Sequence, residues 1–573
     1  MEKADKRIAR TLSAYPLYHP LAAHTDYMDE RQRFEHLATA YFEASYRASP
    51  TSATDLGIHA YDHLLDDMSQ TAIQARIVEL KAFRRKFRAL DAKKLQNGAG
   101  TDCELILSDI ENELWFLEDT RDWETDPSYY VADPFFAIFL VASRDFAPLP
   151  ERVENLAARL ARVPDLLAAA RANLKNPPHI LTEIAIDETE GAIEFCETLL
   201  PQVAAQMKPP RKLRLALKQV LTALRAFLVY LQDDLMLTST GKLGVGAKNY
   251  AKILKYDHIL PYTIAQVVAM GERVFNETER ELVAWAKRID RTKTWREIAD
   301  EARTQFPPRQ RLLGAYRHEI ARLREFVREH DLVTLPDQDC QVVETPPFDR
   351  ALNSFAAYIA PGPFEQNQVG QFWVTPVDTT APRAQQIEQL EEHCNFLYPV
   401  TAAHEAYPGH HVQLVRANQV GSRWRKHFSS SIFAEGWALY CEQLMNEAGY
   451  YQDPRVRLFQ LKDRLWRAAR VVNEIGIHCY DLPMDDAARF LVDKVGLTHG
   501  AARAETRRYI AEPGQPMSYL IGELEVERLR KKFHRLPLKK FHDLLLDSGT
   551  IPFCLVEKEM ERKIGPSYEE RQD

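Results

Sequence analysis

Apolar residues recur along most of this chain at helical spacing. Between residues 31 and 46 the positions Phe34, Leu37, Ala38, Tyr41 and Phe42 follow an i, i+3, i+4, i+7, i+8 order, which gathers them on one face of a helix. The same periodicity predicts helices over 71–90, 103–117, 151–174, 181–200, 212–236, 261–288, 295–306 and 308–330. Proline marks several of their ends, because it removes a backbone donor and crowds the preceding turn. Asn176-Pro177-Pro178 and Pro209-Pro210 are such stops, and Thr125-Asp126-Pro127 and Ala147-Pro148-Leu149-Pro150 punctuate an aromatic-rich stretch. No repeat period or low-complexity segment interrupts the pattern.

The texture changes between Val333 and Pro382. The segments 341–344, 356–359 and 371–375 are short, rich in β-branched or aromatic residues, and bounded by Pro and Gly, which predicts a small sheet. Such a sheet either offers an edge strand to an extended peptide or only caps the helical body. Helices then resume over 385–396, 399–417, 431–448, 455–476, 484–495, 498–511 and 518–533. The chain therefore reads as mainly α with a small β-sheet. It divides into an N-terminal extension (1–30), a helical lobe (31–340) and a second lobe (341–573), the two lobes forming one continuous domain.

Composition narrows the function classes. Of 573 residues, 45% are hydrophobic and 27% charged, ordinary for a globular protein, and the net charge of -8 with no long basic block argues against nucleic acid as a partner. The first residues, Met1 to His24, lack the continuous apolar core of a secretory signal, and no apolar run approaches the roughly 20 residues needed to span a bilayer. Neither export nor a membrane partner is expected. Seven cysteines without CxxC spacing suit a reducing cytoplasm.

Candidate chemistry concentrates in His404-Glu405-Ala406-Tyr407-Pro408-Gly409-His410-His411, followed by Glu435. Imidazoles and a carboxylate suit Zn²⁺, and a catalytic zinc takes three such ligands with one position open. In a His-Glu-x-x-His helix the two histidines sit four residues apart, with the Glu as base. Here position 408 is Pro, so the second ligand is His410 or His411. An unbroken helix puts His411 about 10 Å further along the axis. A kink at Pro408-Gly409 favours His410. Glu435 lies 25 residues after His410, far enough for a second helix to return and supply the third ligand. Glu442, two turns later, can accept the free N–H of a ligand histidine. His393, alone on the preceding helix, reads as a surface residue.

The run from Ala403 to Gln413, together with Glu435-Gly436-Trp437-Ala438-Leu439-Tyr440, resembles the bacterial DUF885 family over about residues 31–552. That family looks like a relative of the gluzincin zinc peptidases, including the carboxypeptidase Taq and angiotensin-converting-enzyme groups. The resemblance implies a large two-lobed helical fold with a deep cleft, and residues 341–573 as the catalytic lobe. Pro513 to Gly522 is similar to a late Tyr-x-x-Gly element beside the metal, which makes Tyr519 the donor to the oxyanion. Arg470 to His478 resembles another element, where relatives often carry Asp at the position of Asn473. His478 is there a candidate for transition-state hydrogen bonding, beside the alternative of a satisfied core histidine. Arg507 and Arg508 can grip a substrate carboxylate, beside the simpler alternative of a solvated helix face, and His411 stands as a supporting or substrate residue.

The expected protein is a cytoplasmic hydrolase with one zinc ion, held by His404, His410 and Glu435. Glu405 is its base, Tyr519 and His478 assist, and short peptides or small amides are its substrates. The rivals are a hydrolase of a non-peptide amide or ester and a noncatalytic helical scaffold without metal.

Overall fold

A three-stranded sheet lies between two apolar cores. β1 (Cys340–Glu344), β2 (Ala356–Ile359) and β3 (Gly370–Val374) are ordered β1-β3-β2, with β1 parallel and β2 antiparallel to the central β3. Successive strand side chains point to opposite faces. Phe372 and Val374 thus enter the largest core, whereas Trp373 enters a second core built from residues 65–235. Just before β2 the Phe355 carbonyl accepts from the N–H of Thr375, just past β3, so the alternate residues Ala356 and Tyr358 turn their backbone groups to the free edge.

The computed structural model describes residues 28–346, 350 and 355–565. The expected N-terminal extension, 1–30, falls almost wholly outside these residues. The described residues are mainly α, as the periodicity requires. The helix expected over 31–46 is Glu30–Ala48, opened by a capping box between Asp29 and Gln32 and burying Phe34, Ala38, Tyr41 and Phe42. The stretch expected as one helix over 151–174 is two, Leu149–Leu160 and Val163–Asn173, because Pro164 starts a new first turn. Ala132–Ser143 escapes periodicity because nearly every face of it is buried, leaving no polar stripe. Two C-terminal helices, Leu538–Leu546 and Phe553–Ile564, also add to those expected.

The largest core draws Val267, Leu282, Tyr316 and Leu323 together with Val412, Trp437, Leu465 and Leu520, so the site helices are packed by both the N- and C-terminal halves of the chain. Two of them, Ser431–Glu447 and Gln515–Lys532, cross at Gly436 and Gly522, where a Cβ on either glycine would overlap the backbone of the other helix. Among the described residues no helix is long and apolar enough to cross a membrane.

Candidate metal centre

The motif segment expected as one kinked helix over 399–417 is two helices, Tyr398–Glu405 and His410–Ala417, joined by a four-residue turn. Pro408 brings no N–H to continue the first helix, and Gly409 N–H bonds back to the Ala403 carbonyl at 3.1 Å. A Cβ at Gly409 would fall inside the His404 carbonyl group, so only glycine fits this turn. The Tyr407–Pro408 peptide is cis, and Trp437 Nε1 donates to the Pro408 carbonyl at 2.9 Å. The turn sets the rings of His404 and His410 4.8 Å apart at 85°.

Glu435 comes from the helix Ser431–Glu447, held close by the glycine crossing at its neighbour Gly436. Its Oε2 lies 3.5 Å from His404 Nε2 and 3.3 Å from His410 Nε2, without the alignment of a hydrogen bond to either. One ligand atom from each of the three residues falls within 4.8 Å of the others. Glu442 accepts from His404 Nδ1 at 2.9 Å, which fixes the proton on Nδ1 and points Nε2 at the cluster.

The charges are strongly coupled. Burial opposes protonation of His404, yet Glu435 and Glu442 hold its pKa up to about 10. Burial likewise opposes ionisation of Glu435, yet His410 and His404 hold its carboxyl far below the usual range. Burial raises Glu442, against the pull of His404 and Arg467. Two imidazole nitrogens converging on the buried, unpartnered Glu435 Oε2 form a donor set whose chemistry fits a metal ion such as Zn²⁺.

Glu405 ends the first motif helix, and its Oε2 accepts the outward Tyr358 N–H of β2 at 3.1 Å. The Tyr358 hydroxyl meets His411 Nδ1 at 3.0 Å, and His411 Nε2 meets the Gln338 carbonyl at 3.0 Å. A carbonyl can only accept, so Nε2 carries the proton and Nδ1 accepts from Tyr358. Burial pushes His411 down to about 4, so it is neutral and fully used as a brace for β2, not as a ligand.

Tyr519 stacks on His404, with ring centres 6.2 Å apart at 20°. Its hydroxyl accepts from Gln515 Nε2 at 3.4 Å, and Gln515 Oε1 accepts from Arg508 Nη1 at 2.7 Å. Burial raises the phenol pKa, and Glu435 adds to the rise.

Other expectations are redirected. The two ring nitrogens of buried His478 are held by backbone, Nε2 by the Tyr509 carbonyl at 2.8 Å and Nδ1 by Val245 N–H at 3.4 Å. The satisfied core histidine is therefore the alternative it adopts, with no free nitrogen for substrate. His393, expected at the surface, is buried, paired with the Tyr316 hydroxyl at 3.0 Å and stacked on Phe355. Asn473 donates to the Ala487 carbonyl at 3.0 Å, and Arg507 pairs with Asp187. Tyr358 and Gln515 were not singled out from sequence. Tyr358 had a signal, the strand expected over 356–359, but its partner Glu405 is 47 positions away.

Fold and cluster together describe a mainly helical protein with a His-His-Glu group that could hold a metal ion. Residues 50–560 match the family described as "Bacterial protein of unknown function (DUF885)", and the chain belongs to that family. No curated protein matches it. Among solved structures it is similar to a candidate lipoprotein of unknown function from Shewanella oneidensis, at 24% identity and TM-score 0.78, covering 92% of this chain and 99% of that one. It is also similar to a candidate lipoprotein from Colwellia psychrerythraea, at 17% identity and TM-score 0.79, covering 94% and 99%. These likenesses bear on the fold.

Proposed function

We propose that this protein is a zinc-dependent hydrolase of short peptides, related to the gluzincin peptidases. The observation that carries the reading is the convergence of His404, His410 and Glu435 within 4.8 Å, with Glu405 set beside them on the free edge of β2. Zinc held by these three residues supplies a Lewis acid that acidifies water and polarises a carbonyl.

The remaining work belongs to the chain. Glu405 takes a proton from water and passes it to the departing amine, the role of a carboxylate fixed within hydrogen-bond reach. Tyr519 receives a hydrogen bond from Gln515, which leaves its own O–H free to donate to the oxygen that gains charge. Glu442 keeps His404 in the required tautomer. The outward Ala356 backbone and Tyr358 carbonyl suit an extended peptide laid along the edge, the Tyr358 N–H being already given to Glu405. The scattered cysteines support a reducing, cytoplasmic location.

The test is metal analysis of the purified chain with hydrolysis of a short-peptide panel. One zinc per chain and chelator-sensitive cleavage are expected. Glu405→Gln retains the zinc and loses turnover by roughly 10²–10⁴-fold. Full activity in that variant, or a folded chain that binds no zinc, overturns the reading.

A further inference from the structure

The stretch from Arg470 to His478 leaves His478 no part in the proposed reaction, but it carries a second buried group. Glu474 stands on the helix Pro454–Tyr480 and is fully enclosed. Its Oε1 accepts from the Tyr250 hydroxyl at 2.8 Å and from the N–H of Gly514, while its Oε2 has no hydrogen-bond partner among the described residues. Burial raises the carboxyl to about 7, against the pull of Tyr250 and of the N–H groups of Gly514 and Met517. A buried carboxyl with one idle oxygen is costly, and an apolar side chain would be cheaper in its place. What distinguishes Glu474 is therefore the pair of groups that Oε1 holds.

Gly514 is where the Tyr519 helix begins. It is the N-cap of Gln515–Lys532, with φ at +98°, and a Cβ there would lie 2.6 Å from Ile253 Cγ2 and 3.1 Å from His258 Nε2. Glycine suits both the left-handed backbone and the space. Buried side chains from different parts of the chain fix both of its backbone groups. Glu474 takes the N–H, and His258 Nε2 donates to the carbonyl at 3.1 Å. Tyr250, on the helix Ala247–Lys252, joins Glu474 from the same side as His258, and its ring stacks on His478 at 6.1 Å and 24°. A helix start leaves N–H groups unmatched and carries partial positive charge, which an acid answers.

Tyr519 lies one turn beyond this start. Gln515, the first residue of the helix, donates to its hydroxyl at 3.4 Å, and the ring rests on His404. A displacement of Gly514 thus carries Gln515 and Tyr519 with it. We propose that Glu474 is a positioning residue, which through Gly514 sets the first turn of this helix and so holds the Tyr519 hydroxyl where it donates to the oxygen that gains charge. The assignment rests on the hydrolase reading above and on the part given there to Tyr519. Glu474 acts at a distance, through backbone, and touches neither metal ligand nor substrate.

The test is a double-mutant cycle on the zinc-loaded full chain, with the best-cleaved peptide of the panel, beside amide hydrogen exchange of the segment 512–521. Tyr519→Phe should lower kcat by roughly 10²–10³-fold, as loss of one oxyanion donor does. Glu474→Ala should lower kcat by about 10- to 100-fold with KM and zinc content unchanged, since misplacement of a donor is felt in the transition state. In the Tyr519→Phe background the same change should cost less than about 2-fold, because the two losses act through one hydroxyl. Glu474→Gln keeps the Oε1 acceptor and should restore kcat to within about 3-fold of the natural protein. Exchange in 512–521 should quicken by about tenfold in Glu474→Ala, with or without zinc, while exchange in 398–417 stays as it was. If Glu474→Ala does not fold, Glu474→Asp, which draws the same carboxyl back by one methylene, carries the cycle. Equal losses in the two backgrounds overturn the proposal, as does a loss that raises KM or strips the zinc, or exchange in 512–521 that does not change. Quickened exchange in a chain whose natural form cleaves no peptide keeps Glu474 as the clamp on this helix and overturns the hydrolase reading.

Discussion

Gly436 and Gly522 meet backbone to backbone, and this crossing joins the two motifs that carry the site. Glu435 precedes one glycine, and Tyr519 lies one turn before the other, so the contact brings the carboxylate to His404 Nε2 and the phenol against the His404 ring. Both helices would have to separate to admit a side chain. Gly522→Ala is therefore expected to cost about 1–3 kcal/mol or more in stability and to weaken zinc binding, since it moves Glu435. Thermal melts with and without zinc check this, and an unchanged melting point and affinity would show that the crossing does not fix the site.

Glu442 acts through His404. Glu442→Gln keeps the shape of the contact but removes the charge that favours the N–H on Nδ1. Zinc affinity should fall by roughly 10- to 100-fold with the fold intact. Competition with a chelator measures the change, and an unaltered affinity would remove Glu442 from any part in holding the metal.

Metal binding should release a proton. In the metal-free chain the two carboxylates keep His404 protonated up to about pH 10, whereas a zinc ligand must offer a free Nε2 lone pair. The affinity should therefore rise by about tenfold per pH unit through the neutral range. Calorimetry in buffers of different ionisation enthalpy should show about one proton released per zinc. No proton release would contradict the charge state assigned to His404.

A second histidine ties stability to pH away from the metal. His59 Nδ1 lies 2.8 Å from Asp62 and Nε2 3.2 Å from Glu365, in the loop between β2 and β3, with the ring stacked on Phe146. Burial lowers its pKa, but the two carboxylates outweigh that effect and raise it from 6.5 to about 9. A raised folded-state pKa contributes stability that is complete below the unfolded value and lost as pH climbs through the folded one. Urea unfolding should thus show stability falling between about pH 6.5 and 9 by up to about 3 kcal/mol, a slope that His59→Gln removes. An identical slope in that variant would place the titration elsewhere.

The sequence by itself determined the elements and the chemistry. Periodic stripes such as Phe34, Ala38, Tyr41 and Phe42 encode a buried helix face locally, and Pro408-Gly409 encodes the break that brings His410 to His404. Candidate ligand types are legible for the same reason: His and Glu carry their donor chemistry wherever they stand. Only the tertiary structure decided which groups meet. His411 and His410 are adjacent in the chain, and their roles separate because the Tyr358 hydroxyl and the Gln338 carbonyl take both nitrogens of His411. His478 carried a suggestive motif and is spent on the Tyr509 carbonyl and Val245 N–H. Periodicity reports which face of an element is buried. It carries no information on the distant partner that face meets, because hydrogen-bond satisfaction is settled by packing across tens to hundreds of residues.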